Sequence, residues 1–285
     1  MMSDSNELNI PLVEIDSFEK ISKVYESKSS QILNVKEKET GRIYAAKVLE
    51  NKEQRDYSSI KNKFEYNAQI LSQLDHPAIL HFIGYSKRDF DGEENPVLFS
   101  EYAKSGSLQR YFEDIETGMS PPLLNATTKL INIYGIASAM AFIHRELNLL
   151  HRNLNPSCIL INEYLCPKLT GFEYSCKETT NNDELEWESR YFPPEYWMNK
   201  EYTKASDVYS FSLIFYEIMT SEIPFKEYNS IYRLSRKVSR KGIRPEFTKP
   251  IPSCYRKLIE DCWAQNPDRR PTFDEIVEVL KTDAD

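Results

Sequence analysis

The sequence predicts an α+β fold: a small strand-rich N-terminal lobe with one helix, joined to a larger α-helical C-terminal lobe. Three observations predict it. Short apolar runs separated by polar turns fill the first hundred residues, and beyond Ser107 the apolar spacing becomes helical. The 285 residues suffice for one large domain or for two lobes with separate cores.

Residues 1–16 open with Met1-Met2-Ser3-Asp4-Ser5-Asn6-Glu7 and read as a polar, loosely packed tail. Residues 18–47 read as strands. Ile32, Leu33 and Val35 precede the turn Lys36-Glu37-Lys38-Glu39-Thr40-Gly41, and Ile43-Tyr44-Ala45-Ala46-Lys47-Val48-Leu49 follows, so a hairpin is the simplest account. Phe64, Ala68, Leu71 and Leu74 give helical spacing over residues 57–74, closed by Asp75-His76-Pro77. Residues 79–85 and 97–102 read as two more strands around a polar turn. In the second lobe, Leu130, Ile133, Tyr134, Ala137, Met140, Ala141 and His144 mark a helix with a wide apolar face. Residues 208–219 are almost wholly apolar and predict a buried central helix, with Asp207 as its N-terminal cap or a buried anchor. A last helix is predicted over residues 273–280.

Composition narrows the function classes. With 40% hydrophobic and 28% charged residues the chain resembles an ordinary globular protein, and it has no unbroken apolar run long enough to predict a membrane span. The acidic start is unlike a signal peptide, so a cytoplasmic location is expected. Five cysteines, Cys158, Cys166, Cys176, Cys254 and Cys262, include no C-x-x-C pair, which predicts reduced thiols and no zinc site. A net charge of −8 argues against nucleic-acid binding. One basic cluster runs against that average: Arg233, Arg236, Lys237, Arg240, Lys241 and Arg244. Such a run is ordinarily a solvated helix face; the alternative is a surface for an anion or a partner.

Several stretches then carry a family resemblance. Tyr44-Ala45-Ala46-Lys47 resembles the third-strand lysine motif of protein kinases, and His151-Arg152-Asn153-Leu154-Asn155-Pro156 resembles their catalytic loop. Arg190-Tyr191-Phe192-Pro193-Pro194-Glu195 resembles the end of their activation segment. Asp207-Val208-Tyr209-Ser210-Phe211, the stretch from Cys262-Trp263 to Pro271-Thr272, His76-Pro77-Ala78-Ile79-Leu80 and Ser105-Gly106-Ser107-Leu108 add to this and are similar to the tyrosine-kinase-like group. The seven matches lie in kinase order, and the resemblance covers roughly residues 18–281. The resemblance implies a two-lobed protein-kinase-like domain over residues 17–281, with lobes of about 17–102 and 103–281.

It also implies a job for each site position, and few of those jobs are filled. Phosphoryl transfer is mostly positioning and charge neutralisation. The phosphate-covering loop needs glycines so that backbone N–H groups can approach; its three glycine slots hold Tyr25, Ser27 and Ser30. Lys47 is retained, but Asn67 stands where its glutamate partner belongs, and Glu65, two helix residues earlier, points to another face. Lys47 therefore either packs structurally or binds a phosphate. Asn153 replaces the base aspartate, and a carboxamide cannot take a hydroxyl proton at neutral pH; losing a general base costs about 10²–10⁴ in rate. Asn155 replaces the catalytic-loop lysine. Cys158 replaces a metal-binding asparagine, a soft sulfur for a hard oxygen, and Gly171 replaces the metal-binding aspartate. Glu173 could serve the metal only if the backbone shifted.

The framework positions remain suitable. The resemblance places Ile32, Ala45 and Leu160 around an adenine pocket, backbone groups of Glu101 and Ala103 at the hinge, and Ser100 as a small gatekeeper. Leu71, Phe82, His151 and Phe172 would form a hydrophobic column, and Glu195 and Arg270 a buried ion pair. The acidic residues Glu178, Asp183, Glu184, Glu186 and Glu188 lie between the last two motifs. One of them is expected either to pair with Arg152 or simply to face solvent. The expectation is a pseudokinase: a signalling scaffold or allosteric partner of other kinases, binding ATP without magnesium if at all, with protein partners and neither nucleic acid nor membrane. The alternatives are an active serine/threonine protein kinase and a magnesium-independent ATP-binding switch.

Overall fold

A computed structural model describes residues 10–27, 30–50, 57–119, 125–178, 185 and 189–282. The chain divides into two compact units between Lys104 and Ser105.

The first unit is a five-stranded antiparallel sheet. Its strands are β1 (Phe18–Glu26), β2 (Ser30–Glu37), β3 (Ile43–Leu49), β4 (Phe82–Ser86) and β5 (Val97–Glu101), in the spatial order β1-β2-β3-β5-β4. Helix α1 (Tyr57–Leu71) lies between β3 and β4 in sequence. The hairpin expected around Gly41 joins β2 to β3 with Leu33 opposite Ala46 and Ile32 opposite Lys47. Residues directly opposite share a sheet face, and successive residues alternate. Phe18, Leu33, Val35, Ala46, Val48, Val97 and Phe99 therefore pack as a core on one face, which leaves Ile32, Ala45 and Lys47 together on the other. Helix α1 ends at Leu71 rather than residue 74, its last turn tightening through Gln73 N–H to Ile70 O and Leu74 N–H to Leu71 O. Strand β4 starts at Phe82 rather than residue 79, because Ile79 N–H closes a turn on His76 O across Pro77.

Residues 10–17 depart from the expected loose tail. Ile10 is buried, and Leu12 bridges Tyr85 in parallel, with Val13 N–H to Tyr85 O and Tyr85 N–H to Pro11 O both at 2.8 Å. The segment thereby covers the β4 edge, where unpaired backbone would otherwise face outward. Gly84 makes this possible: a Cβ there would lie 2.3 Å from Val13 Cγ2 and 2.9 Å from Pro11 O. At the other edge, β1 is largely exposed, and two register shifts interrupt its pairing with β2.

The second unit is mostly helical, with α2 (Leu108–Glu116), α3 (Ala126–Glu146), α4 (Pro194–Asn199), α5 (Lys204–Thr220), α6 (Ile231–Lys241), α7 (Ser253–Cys262) and α8 (Phe273–Thr282). Four short strands pair in two antiparallel ladders: β6 (Leu149–Leu150) with β9 (Cys176–Lys177), and β7 (Ile159–Ile161) with β8 (Pro167–Leu169). Helix α5 is the predicted central helix, buried from Ser206 to Ile218. Thr203 caps it in a reciprocal box with Ser206, so Asp207 is the buried anchor and not the cap. Helix α3 packs against α5, α8 and β8. By length and composition it could cross a bilayer, with mean hydropathy 1.2, whereas the sequence, read for unbroken apolar runs, predicts no span. Its Ile133, Ile136, Ala137, Met140 and Ile143 are fully buried within the unit, as in a core helix.

Candidate active site

In the first unit, the sheet register fixes Lys47. The residue is half-buried, and its ammonium lies 5.9 Å from the centre of the Phe64 ring on α1, a cation–π distance. Asn67, one helical turn on from Phe64, is buried at 2% exposure, and its Oδ1 has no hydrogen-bond partner among the described residues. Glu65 is committed elsewhere: its Oε1 accepts the Tyr85 hydroxyl proton at 2.9 Å. Burial and that carboxylate hold the Tyr85 phenol well above its ordinary range. The loop between β1 and β2 is tied by its own serines. Ser27 N–H donates to Ser30 O at 2.8 Å, and Ser30 N–H donates to Ser27 Oγ at 3.0 Å. At least these two backbone donors are thus already used, where a phosphate-covering loop would keep its N–H groups for the ligand. Ala45 pairs with Ser100, the gatekeeper position, and Glu101 pairs with Tyr44. Glu101 N–H donates to His81 O at 2.9 Å, and Ala103 is buried.

In the second unit, the loop after β6 folds onto itself. Asn155 Nδ2 donates to Asn153 O at 2.8 Å, to Asn153 Oδ1 at 3.0 Å and to Cys158 Sγ at 3.5 Å. The Asn155 side-chain oxygen accepts from Ser157 N–H at 2.9 Å and caps the short 3-10 turn Pro156–Cys158. Two amides and a thiol thus satisfy one another at the base, lysine and metal positions. Gly171 has φ +86°, in the left-handed region, and a Cβ built on it would lie 2.5 Å from Cys158 Sγ and 3.1 Å from Cys158 Cβ. Cys158 therefore fills the space into which an aspartate at 171 would project. Residues Phe172–Tyr174 form a 3-10 turn, with Gly171 as its N-cap. These donors do not fit magnesium, which prefers hard oxygens in octahedral array. Among the described residues no three His, Cys, Asp or Glu side chains cluster as a metal site. Leu160 is half-buried in the middle of β7.

Around this loop the framework is intact. Asp207 Oδ2 accepts His151 N–H and meets His144 Nε2, each at 2.9 Å, while Oδ1 accepts Arg152 N–H at 3.1 Å and the Tyr202 hydroxyl at 2.9 Å. Burial alone would raise the Asp207 carboxyl; the hydrogen bond and charge of His144, with the His151 contacts, hold it below its ordinary value. His151 is fully buried, and burial pushes its imidazole pKa down. Its Nδ1 accepts Asn153 N–H at 3.3 Å, so the ring is assigned as the neutral tautomer with Nε2–H donating to Thr170 O at 3.0 Å. The ring packs against Phe172 in a tilted contact with centroids 4.8 Å apart, as the column predicts for these two members.

Glu195 and Arg270 form the expected buried pair, bidentate at 2.7 and 2.8 Å, with Ser206 Oγ and Ala205 O completing it. Arg152 is also buried, and its Nη1 lies 3.6 Å from Cys176 Sγ. Glu178 meets Lys204 instead, at 3.4 Å; Asp183, Glu184, Glu186 and Glu188 lie outside the described residues. The sequence motifs located Asp207 but not its partners His144 and Tyr202. The only signal for them was the helical spacing that put His144 on the apolar face of α3.

With this geometry in place, comparison with known proteins identifies the family. The chain belongs to the protein kinases: the model for protein tyrosine and serine/threonine kinases matches residues 19–280. Its relatives are of the tyrosine-kinase-like type. It is 30% identical over 228 residues to the serine/threonine/tyrosine-protein kinase HT1 of Arabidopsis thaliana, covering 79% of this chain and 55% of that protein. It is 30% identical to the dual specificity protein kinase pyk3 of Dictyostelium discoideum, covering 84% of this chain and 17% of that protein. It is also 30% identical to the serine/threonine-protein kinase VIK of Arabidopsis thaliana, covering 76% and 50%. The chain thus spans between 17% and 55% of the length of these curated relatives.

Proposed function

We propose that this kinase domain is a pseudokinase, a signalling scaffold or allosteric partner of other kinases whose own phosphotransfer is impaired. The observation that carries the reading is the contact between positions 158 and 171. Cys158 Sγ lies where a metal-binding carboxylate would have to project, from a backbone that only glycine adopts readily. The self-paired amides of Asn153 and Asn155 add to it, because they offer neither a base nor a cation. Protein partners in the cytoplasm, rather than nucleic acid, accord with the net charge of −8.

A second reading, a magnesium-independent ATP-binding switch, is favoured by Lys47 lying on the same sheet face as Ile32 and Ala45. A third, an active serine/threonine kinase, draws on the retained Lys47 and adenine-pocket positions and on the names of the relatives. Thermal denaturation with ATP, with and without Mg²⁺, beside a phosphate-transfer assay separates them. The pseudokinase reading expects no transfer above that of the Lys47→Met variant. A rise in Tm with ATP alone would select the switch. Magnesium-dependent transfer abolished by Lys47→Met would overturn the proposal.

A further inference from the structure

Helix α6 carries five exposed cations, Arg233, Arg236, Lys237, Arg240 and Lys241, and no acidic residue. Elsewhere in the second unit, helical charges are neutralised locally: Arg256 with Glu260 and Lys257 with Asp261 on α7, and Lys281 with Glu278 on α8. On α6, like charges follow one another at spacings of three and four, an arrangement that costs about 0.2–0.5 kcal/mol per pair in an isolated helix. The helix dipole accounts for Arg240 and Lys241 in the last turn, but it disfavours Arg233 in the first. Among the described residues none of the five has a carboxylate within ion-pair distance. Arg244, the sixth member of the sequence cluster, is separate: it is fixed by Trp263 O at 2.8 Å and Gln265 Oε1 at 2.9 Å.

The five cations line one concave cleft of about 610 Å³, a volume typical of ligand sites. Two tyrosines complete its wall. Lys237 Nζ lies 5.1 Å from the Tyr228 ring centre and 3.3 Å from its hydroxyl, and the Arg236 guanidinium lies 5.9 Å from the ring of Tyr232, which is 67% exposed. Leu234, Ser235 and Val238 bury the opposite face of the helix and hold the array in place. Glu227 is the one carboxylate in the lining.

We propose that this cleft docks an acidic, extended segment of a partner protein, with carboxylates meeting the arginine and lysine row and apolar stems lying on Tyr228 and Tyr232. Charge complementarity selects that partner. Interactions beyond a Debye length of about 8 Å are screened at physiological salt, so a short peptide responds to the cleft alone. A membrane or a long nucleic acid would extend past the cleft over a chain whose net charge is −8, and a concave site suits a segment better than a bilayer plane. The inference goes beyond the proposed function and does not depend on it, since such docking would serve an active kinase equally.

Fluorescence anisotropy of the whole chain with a labelled 12-residue Glu/Gly peptide tests it. Binding is expected, weakened at least tenfold by Arg236→Glu/Lys237→Glu. Arg256→Glu/Lys257→Glu on α7, an equal change of charge, should alter it less than twofold. If the first variant loses its circular dichroism signal, Arg236→Gln/Lys237→Gln replaces it, with a loss of at least threefold expected. Equal weakening by the α6 and α7 variants would overturn the proposal. So would binding of phosphatidylserine vesicles or of a 12-nucleotide single-stranded RNA without binding of the peptide.

Discussion

At position 171 two costs would fall on any side chain at once. The backbone is left-handed, a region that costs an L-residue roughly 1–2 kcal/mol, and Cys158 Sγ is 2.5 Å from where Cβ would be. To make room, the thiol must rotate inside a site where it is only 5% exposed and give up its contact with Asn155 Nδ2. Restoring the metal ligand by Gly171→Asp alone is therefore expected to destabilise the fold by about 2–4 kcal/mol, in the range of overpacking plus backbone strain, without creating a magnesium site. Removing the sulfur by Cys158→Ala in the same chain should return about 1 kcal/mol or more of that loss. Urea denaturation of the wild type, the two single variants and the double variant gives the coupling energy. Strictly additive effects would show that the two positions are independent and remove the packing argument.

Strand β4 shows how a single missing side chain shapes a whole element. With no Cβ at Gly84, residues 11–13 can lie against the strand and exchange two backbone hydrogen bonds with Tyr85. Gly84→Val should displace the segment and strip protection from the Val13 and Tyr85 amides in hydrogen exchange, while the Ala46 amide between β2 and β3 stays protected. Unchanged protection at Val13 would mean that the segment is held by something other than this contact. That pairing was illegible in the sequence, because it joins residues some seventy positions apart, and the apolar stretch Ile10-Pro11-Leu12-Val13 is short and interrupted by a proline. The long helices α3, α5 and α8 were legible, since each repeats apolar residues over several turns. Strands β6 to β9, two or three residues each, are too short to show alternation, and α6 shows mainly its charges because only Leu234, Ser235 and Val238 are buried. At the site, motif order supplied the identities of Lys47, Asn153, Asn155, Cys158 and Gly171. It could not supply the left-handed backbone at 171 or the 3-10 turn over Phe172–Tyr174, because both depend on local packing that residue type alone does not encode.

For the whole molecule, the dependence of stability on pH follows from three buried groups in the second unit. Glu217 is 2% exposed on α5, and burial pushes its carboxyl up to about 8, moderated by the Tyr191 hydroxyl that donates to it at 2.7 Å. An unfolded glutamate titrates near 4.3, so between those values the folded chain holds a proton that the unfolded chain releases. Stability therefore falls as pH rises across that window, by up to about 1.4 kcal/mol per unit. His151 acts in the opposite sense: burial lowers its pKa, so the unfolded chain binds a proton below about 6.5 that the folded chain refuses, and stability rises with pH up to there. Asp207, held below its ordinary value, stabilises the fold above about pH 3.9 and loses that contribution in stronger acid. Just below pH 6.5 Glu217 and His151 act in opposite senses, and of the three only Glu217 titrates from 6.5 to 8. The Tm of the wild type should accordingly decline over pH 6.5–8. Glu217→Gln keeps an acceptor for Tyr191 but carries no titrating proton, so it should flatten that decline and leave the variant the more stable of the two at pH 8. A slope over pH 6.5–8 that is the same in both chains would place the titration on another group.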